Sequence, residues 1–490
     1  MAGRIYRKFP RTFWIANSME LLERWAWYGM FMVLALYLTG STDTGALGFS
    51  QQQKGWLMGS VVAILYFLPL LTGAIADRFG YKRVLVISYI ILASGYYLMG
   101  QVHSYALFYI VFLYLAIGAA LFKPVISATI SKTTDASTSS VGFGIFYMIV
   151  NIGAFIGPIV ASRLRLISWD MVFTASAIII LLNMVMVLLF YREPARDART
   201  NPIRKEFGII FRNIWETLSY PRLLIFLLII VGFWTMYNQL FYTLPVFIDQ
   251  WVDTSTVYRA LASLSPGLAA AVGTKEGTIA AEMMTNLDAL YIVIFQVLVS
   301  TFVMRYKPLT AMVSGIFVSA LGLGLTFLMQ NGMFLFVTIL IFGLGEMATS
   351  PKIFEYLGRV APAGKTALYM GASYLPMAGG NFLAGLLSGD TYARMSDKVS
   401  IAQREASMRG LDIPAISDEF SSNQYLDELA RQLDMDASGL TQYLWQTHHP
   451  EQIWLVFTGI GLATGLALFL FDKLILKDKS MGSAEIHPEK

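Results

Sequence analysis

Hydrophobic residues of this chain fall into twelve apolar runs, each close to the ~20 residues that a helix needs to cross a membrane. The first six runs lie near 13–39, 52–76, 84–100, 105–131, 141–163 and 169–191. The second six lie near 223–248, 287–304, 308–330, 332–358, 364–389 and 452–472. We therefore predict an all-α membrane protein with twelve transmembrane helices in two six-helix halves, and we number the runs as spans one to twelve.

The polar segments between these runs predict how the chain is divided. Residues 1–191 are expected to form an N-terminal six-helix bundle, and residues 223–390 a C-terminal bundle of spans seven to eleven. Residues 192–222 have the pattern of a cytoplasmic linker with a surface amphipathic helix around Phe207–Leu218. Residues 452–490 hold span twelve and a cytoplasmic tail.

Residues 391–451, between spans eleven and twelve, form a longer segment than a turn requires. Within it, the apolar residues of 424–433 recur at helical spacing. We predict a small helical cap outside the membrane, and a tethered loop without a function is the alternative.

Charged residues make up only 14% of the 490 residues, against about 25% in soluble proteins, which agrees with a polytopic membrane protein. The chain has no cysteine, so disulfides, thiolate metal sites and iron–sulfur clusters are excluded. Its four histidines lie in connecting segments or in the tail. Any proton chemistry inside the membrane therefore has to use carboxylates.

Lysine and arginine are concentrated in segments that lie on one side of a twelve-span chain. They are Arg4, Arg7, Lys8 and Arg11 before span one, Arg78, Lys82 and Arg83 after span two, the basic residues of the linker, and Lys473, Lys477 and Lys479 after span twelve. Arg163 and Arg165, at the outer end of span five, are exceptions. We predict a plasma (inner) membrane protein with both termini in the cytoplasm.

Three charged residues of span one, Glu20, Glu23 and Arg24, share one helix face because they are three and four residues apart. An ionised group at that depth costs roughly 2.5–3.5 kcal/mol, so this face has to look into protein or water. At about 1.5 Å per residue, Lys123 of span four and Glu346 of span ten fall at a similar depth. Two alternatives stay open: Lys123 as a structural partner of the span-one glutamates, and Glu346 as a hydrogen-bond acceptor in helix packing.

The turn between spans two and three, from Gly73 to Arg83, combines an aspartate at a helix end with a basic cluster. Such a pair can form a switchable latch between helices. The spacing G-x-x-x-D-R-x-G-x-[KR]-R resembles the signature of the major facilitator superfamily. This resemblance implies a conformational latch formed by Asp77, Arg78, Lys82 and Arg83, whereas an ordinary positively charged loop is the alternative.

Five further segments resemble the proton-dependent oligopeptide transporter family of that superfamily. They are Glu20-x-x-Glu23-Arg24 with Trp27-Tyr28-Gly29-Met30, then Phe122-Lys123-Pro124, Phe146 to Ala154, Phe233 to Gln239, and Gly345 to Pro351. The resemblance covers both halves of the chain. It implies the major facilitator fold, in which two halves rock about a site at the membrane midplane.

The resemblance also implies roles for individual residues. Glu20, Glu23, Arg24 and Lys123 would form the proton-responsive cluster, and protonation of a glutamate would release Lys123 for a substrate carboxylate. Glu346 would receive the substrate amino group and would pair with Lys123 when the site is empty. The substrate pocket would be lined by Tyr28, Tyr66, Tyr147, Asn151, Trp234 and Asn238.

Two positions depart from the family pattern. Most family members have an arginine in span one and a glutamate in span seven, where this chain has Phe31 and Asn238. Losing one partner would strand a buried charge at about 3–5 kcal/mol, whereas losing both can be neutral. We expect an outer gate that closes without this ion pair, and proton coupling that rests on Glu20, Glu23 and Glu346.

The predicted function is a proton-coupled symporter that imports di- or tripeptides, or a peptide-like solute, by alternating access. A proton antiporter that exports amphipathic compounds and a non-transporting receptor whose cap binds a partner are the alternatives. An enzyme is not predicted, because the sequence has no metal-ligand cluster, nucleophile elbow or phosphate loop. We expect no catalytic or metal-binding residues, no cofactor beyond the coupling proton, no nucleic-acid partner, contact with membrane lipid, and a monomer.

Overall fold

The structure is a computed structural model that describes residues 8–135, 138–195, 203–328, 330–362 and 365–475. Across these ranges the chain is helical, and extended residues form two isolated bridges, Asp253 with Asn331 and Gly273 with Ile279. The predicted all-α class is confirmed. Six of the basic residues predicted to be cytoplasmic lie outside the described residues: Arg4, Arg7, Arg196, Arg199, Lys477 and Lys479.

The N-terminal half consists of spans one to six. In order, they are Arg11–Thr39, Gln51–Phe67 with Pro69–Phe79, Tyr81–Gln101, Tyr105–Lys132, Ser139–Arg165 and Trp169–Leu189. Span two begins with a capping box, in which the Ser50 hydroxyl accepts from the Gln53 amide and the Gln53 side chain accepts from the Ser50 amide. The same span bends by 45° between its two helices, where Pro69 has no N–H to continue the helical ladder.

The C-terminal half consists of spans seven to twelve, and three of them are interrupted. Span seven is Pro221–Tyr237, Gln239–Tyr242 and Leu244–Trp251, span eight is Ala281–Thr285 with Leu287–Val303, span nine is Pro308–Leu325, span ten is Leu335–Val360, span eleven is Thr366–Ala372 with Tyr374–Leu386, and span twelve is Ile453–Leu470. Span eight starts six residues before the predicted run. Span nine ends before the predicted residue 330, because Thr326–Leu328 tightens into a 3₁₀ turn.

Nine helices of the described residues are long and apolar enough to cross a membrane, and the bent pair of span two makes a tenth. Spans one and eleven are not among these ten. Span one contains the charged trio that the sequence singled out, and span eleven is divided at Ser373.

Two helical additions mark the opposite sides of the bundle. The linker helix Ile203–Leu218 lies between the halves, and the Lys365 ammonium before span eleven pairs with Glu216 of this helix. The cap helices Lys398–Arg409, Ser422–Gln432 and Ala437–His448 lie between spans eleven and twelve. We call the two sides of the bundle the linker side and the cap side.

The cap is held together around the buried carboxylate of Glu405. Its oxygens pair with the Arg409 guanidinium and accept from the Tyr443 hydroxyl, and the His448 ring lies at 2.9 Å. This network joins the first and third cap helices, which contribute Glu405 and Tyr443. The apolar residues of the cap, such as Leu429, belong to the same buried core as the transmembrane helices.

The cap also contacts the N-terminal half. The Asn423 amide N–H donates to the Ser41 hydroxyl at 3.2 Å, and the Asn423 side chain donates to Asp43 at 3.1 Å. At the other end of the cap, the Gln51 side chain donates to the Asp397 carboxylate at 3.0 Å. A segment that belongs to the C-terminal half in sequence thus bridges both halves.

Spans two and eleven cross on the cap side with their backbones in direct contact. A Cβ added to Gly55 would collide with the Gly385 carbonyl, and one added to Gly385 would collide with the Gly55 carbonyl. A Cβ on Gly59 would lie 2.9 Å from the Gly385 Cα. Only glycine allows this approach, which brings the two halves together on the cap side.

Candidate functional site

The charged trio of span one forms a compact buried cluster. The Arg24 guanidinium lies 2.5 Å from the Glu23 carboxylate and 3.5 Å from that of Glu20. All three residues are at most 6% exposed. The spacing predicted from the sequence is therefore realised as one arginine shared between two glutamates.

Span five fits closely against this cluster because of its glycines. A Cβ added to Gly153 would lie 2.7 Å from the Leu21 carbonyl and 2.8 Å from the Arg24 Cβ. One turn later, a Cβ on Gly157 would collide with the Trp25 carbonyl. The segment from Phe146 to Ala154 therefore holds span one, and with it the charged cluster, against span five.

Lys123 of span four lies near this cluster without joining it. Its ammonium interacts electrostatically with Glu20, Glu23 and Arg24, but it makes no ion pair with any described carboxylate. Instead, its Nζ lies 5.8 Å from the centre of the Tyr66 ring. The expected Lys123 pairs with the span-one glutamates and with Glu346 are not formed in this structure, in which Arg24 is the cation that contacts both glutamates.

The other predicted pocket residues of the N-terminal half line the same region. The Tyr28 ring lies 5.8 Å from the Arg24 guanidinium carbon. Tyr147 of span five is 49% exposed, and the Asn151 side chain donates to the Tyr147 carbonyl at 2.8 Å. Tyr147 also interacts electrostatically with Glu346 of the opposite half, so it faces the space between the halves.

The predicted residues of the C-terminal half are spread over spans seven and ten. Glu346 accepts a hydrogen bond from Ser350 at 3.1 Å and has no cation beside it among the described residues. The indole N–H of buried Trp234 has no hydrogen-bond partner among them. The Asn238 side chain donates to the Trp234 carbonyl at 2.7 Å, so its amide is directed back to its own helix.

Phe31 takes part in an aromatic contact at the position where the family's ion pair is missing. Its ring packs against Phe241 and Tyr242 of span seven at centroid distances of 6.1 and 5.9 Å. An apolar contact between spans one and seven thus occupies the place of a charged one.

Further contacts close the cap side around this aromatic cluster. Arg165 of span five pairs with Glu282 of span eight at 2.5 Å, and the Asn286 side chain donates to the Phe155 carbonyl at 3.0 Å. Spans four and five show no comparable packing against spans ten and eleven in the described part of the chain. The space between the halves is therefore closed towards the cap and open towards the linker side.

The four latch residues lie in the tight turn between spans two and three. Gly80 adopts a positive φ of 101°, and the Tyr81 hydroxyl donates to Asp77 at 3.1 Å. The Lys82 ammonium donates to the Leu188 carbonyl of span six at 3.0 Å. Arg78 lies over the Phe79 ring, and Arg83 is exposed. The turn is thereby tied to the end of span six.

Two buried charged residues, Lys54 and Asp288, were not found from the sequence. The Lys54 ammonium of span two donates to the Tyr242 carbonyl at 3.0 Å and lies 5.3 Å from the Tyr392 ring centre. Asp288 is 4% exposed in span eight. Both lie at the ends of predicted runs, where charged residues normally reach the interface. Lys54 lies one turn inside its helix, whereas Asp288 is the second residue of the helix Leu287–Val303 and lies seven residues after span eight begins.

The described residues contain no group of three or more histidines, cysteines, aspartates or glutamates that could hold a metal ion. The charged groups of the site are instead arranged as one arginine shared by two glutamates, one lysine and separate carboxylates. Such groups can bind the ends of a zwitterion and exchange protons, without a cofactor in the arrangement.

Comparison with known proteins gives the family of the chain. A model of the Major Facilitator Superfamily matches residues 19–385, which is most of the chain. The chain belongs to this superfamily. The major facilitator fold has twelve helices, so the predicted twelve-helix architecture is confirmed.

Curated relatives of this superfamily member are peptide permeases. It is 31% identical over 200 residues to the dipeptide and tripeptide permease A of Erwinia pyrifoliae, and this match covers 40% of this chain and 39% of that protein. It is 28% identical over 242 residues to the protein of the same name from Escherichia coli K12, which covers 47% and 45%. The matches thus span less than half the length of these relatives. They confirm the predicted oligopeptide transporter family within the superfamily.

Solved structures share the fold of this superfamily member over nearly its full length. A POT family transporter in complex with 5-aminolevulinic acid has a TM-score of 0.70 at 17% identity, covering 96% of this chain and 99% of that one. A peptide transporter POT in complex with sulfate has a TM-score of 0.70 at 16% identity, covering 95% of both chains. The chain is therefore a multi-pass membrane protein of this superfamily, and it shares the fold of these structures.

Proposed function

We propose that the chain is a proton-coupled symporter that imports di- and tripeptides, or a peptide-like solute, by alternating access. The observation that carries this proposal is one buried lysine in the N-terminal half, Lys123, and one carboxylate in the C-terminal half, Glu346, with neither in an ion pair among the described residues. A peptide has a carboxylate at one end and an ammonium at the other, which would satisfy both. The names of the curated relatives support the same substrate class.

In this proposal, Glu20, Glu23 and Arg24 respond to protons. Arg24 balances the charge of only one of the two carboxylates, so Lys123 is attracted by the negative charge that is left over. Protonation of one glutamate removes that charge, and a buried ammonium without a partner is costly. Lys123 then favours a substrate carboxylate, which couples substrate binding to proton binding.

The pocket roles proposed from the sequence follow from this arrangement. Tyr28, Tyr66 and Tyr147 would line the substrate path with Asn151, and Trp234 would offer its free indole N–H from the opposite half. The side chain of Asn238 is bound to its own helix, so a contact with substrate would require it to turn.

For transport, the two halves have to exchange which side is closed. We propose that bundles 1–191 and 223–390 move against each other, connected by the linker 192–222, with residues 391–451 as the cap and residues 452–490 carrying span twelve and the tail. The turn with Asp77, Arg78, Lys82 and Arg83 would act as the latch of this movement. The present structure would be the state open to the linker side.

The placement in the cell belongs to the same proposal. The linker side would face the cytoplasm, with both termini there, in the inner membrane. The protein would work as a monomer in lipid, without a cofactor other than the proton, without enzymatic activity and without nucleic acid.

The test is uptake into proteoliposomes with an alkaline interior, using a labelled di-alanine. We expect uptake that depends on the pH gradient and falls at least about tenfold in Lys123→Ala and in Glu346→Gln, because each loses one end of the substrate. Glu419→Gln, an exposed cap residue, is the matched control and should transport normally. Uptake that does not depend on the pH gradient, or that remains unchanged after both substitutions, would contradict the proposal.

A second candidate, a proton antiporter that exports amphipathic compounds, is favoured by the aromatic contact of Phe31 with Phe241 and Tyr242. In inside-out vesicles, an exporter would carry a lipophilic cation, such as ethidium, from the outer solution into the vesicle interior in exchange for protons. Ethidium movement that Lys123→Ala leaves intact, together with no di-alanine uptake, would decide for this candidate.

A further inference from the structure

Asp288 of span eight is a buried carboxylate that the proposed coupling mechanism does not use. It is 4% exposed, and its Oδ1 atom has no hydrogen-bond partner among the described residues. No described lysine, arginine or histidine forms an ion pair with it. A buried ionised carboxylate without a partner is costly, and the cost is relieved when the group takes up a proton or binds a cation. Asp288 thus has the properties of a binding group.

The position of Asp288 places it beside Glu346. A Cβ added to Gly343 of span ten would lie 2.8 Å from the Asp288 Oδ1 atom, so this carboxylate rests on the backbone of Gly343. Glu346 follows three residues later, one turn along the same face. The two carboxylates interact electrostatically with each other, and both interact with Tyr147 and with Tyr237. They therefore form one pair of neighbouring carboxylates between spans eight and ten.

The charges of the two halves are unequal. In the N-terminal half, Glu20 and Glu23 are balanced by Arg24 and Lys123, so that cluster is neutral when all four groups are ionised. In the C-terminal half, the acid pair faces no cation among the described residues. One substrate ammonium would neutralise Glu346 alone, which leaves the second carboxylate for a second cationic group.

We propose that Asp288 and Glu346 form an acidic pair that selects substrates with two amino groups, such as peptides with a lysine or ornithine side chain. This inference rests on the proposed function for the peptide, but the preference for a second ammonium belongs to the acid pair itself.

The experiment measures binding to the purified full-length protein by calorimetry at one fixed pH, with three probes: alanyl-alanine, alanyl-lysine and 1,5-diaminopentane. We expect the wild type to bind alanyl-lysine about tenfold more tightly than alanyl-alanine. Asp288→Asn should reduce this ratio to below about threefold and leave the affinity for alanyl-alanine nearly unchanged. Asp427→Asn, an exposed cap aspartate, is the matched control.

Gly343→Ala is a second variant that keeps both charges. Its added methyl group presses on the Asp288 Oδ1 atom, so we expect it to lower the alanyl-lysine preference as well. This variant decides the question if Asp288→Asn does not fold. An unchanged ratio in every variant that folds would overturn the inference, as would an equal loss of affinity for both peptides.

The diaminopentane probe separates the inference from the proposed function. If the wild type binds neither peptide, the peptide proposal fails, and diaminopentane binding that Asp288→Asn abolishes still supports the acid pair. If diaminopentane does not bind either, the inference is overturned. A change in proton release without any change in the ratio would assign Asp288 to proton binding and would also overturn it.

Discussion

Arg165 and Glu282 form a two-pronged ion pair that fastens span five to span eight on the cap side. Arg165 Nε lies 2.5 Å from one Glu282 oxygen, and its terminal nitrogen lies 2.9 Å from the other. Glu282 is fully buried. This pair joins the two halves on the cap side. In the sequence, Arg163 and Arg165 are visible only as two exceptions on the side that otherwise has little positive charge.

Glu282→Gln should open the cap side. It leaves the Arg165 guanidinium without its anion in a largely buried position, which typically costs about 3–5 kcal/mol. The natural chain has no cysteine, so Ser104→Cys and Lys275→Cys, one on each half, can be spin-labelled without other changes. We expect a longer distance population between the two labels in the Glu282→Gln protein.

The double variant Arg165→Met/Glu282→Leu is the control for that experiment. It removes both charges and keeps apolar volume, so the closed population should largely return. An unchanged distance distribution in Glu282→Gln would show that the pair does not hold the cap side closed.

Phe31→Arg should destabilise the protein. The new guanidinium would lie against Phe241 and Tyr242, with the amide of Asn238 instead of a carboxylate near it. We expect a loss of about 3–5 kcal/mol in stability, which Phe31→Arg/Asn238→Glu should largely recover. Thermal unfolding in one detergent measures both variants. Equal melting temperatures for the single and double variants would refute the idea that these two positions form one pair.

Glu20→Gln and Glu23→Gln should differ in stability although both carboxylates share Arg24. Glu23 is the closer partner, at 2.5 Å against 3.5 Å, and it is fully buried. We expect Glu23→Gln to lower the melting temperature more than Glu20→Gln, whereas both should lose most gradient-driven uptake. Counterflow exchange without a gradient is the companion measurement, and Glu20→Gln should retain it. Gradient-driven uptake that persists in both variants would leave Glu346 as the main coupling candidate.

Lys398 of the cap should make stability rise with pH above neutrality. Burial lowers the pKa of its ammonium to about 8, although the Asp249 carboxylate raises that pKa in part. The unfolded pKa is about 10.4. Between these values the unfolded chain binds more protons than the folded one, so the free energy of unfolding increases from pH 8 towards pH 10.

Lys398→Met should flatten this rise, because no ammonium remains to be buried. Melting temperatures between pH 7.5 and pH 10 measure the effect, with Lys275→Met as the control at an exposed lysine. Parallel curves for the wild type and Lys398→Met would rule Lys398 out as the source of the slope.

The sequence predicted those parts of the site that depend on local helix geometry. The contact of Arg24 with Glu20 follows from residues four apart on one helix, whatever the helix packs against. Its contact with the adjacent Glu23 does not follow from this spacing. Asp288 could not be predicted in this way, because its importance comes from Gly343 on another span. Asn238 shows the reverse case, since its amide is bound to its own helix although its position suggested a pocket residue.

The fold was predictable at the level of spans and less so at their ends. Twelve apolar runs and the basic turn at Asp77 identify the superfamily. The interruptions at Asn238 and Asn286 have no proline within four residues, so the hydrophobic pattern alone does not predict them. The interruption at Ser373 does have a sequence signal, because Pro376 has no N–H to bond the Ala372 carbonyl. Contacts such as Asn423 with Asp43 join residues 380 positions apart and depend on how the cap is seated.

The crossing of Gly55 and Gly59 with Gly385 gives the cap side an interface built from main chain. Separating these helices requires no side chain to change rotamer and no charge to be solvated at that point. The closed state should therefore lose stability stepwise with the volume that is added at these glycines, because each added methyl group keeps the two helices further apart. A graded series of alanine and serine at one position would tune the balance between the two transport states while every charged residue of the cavity stays in place.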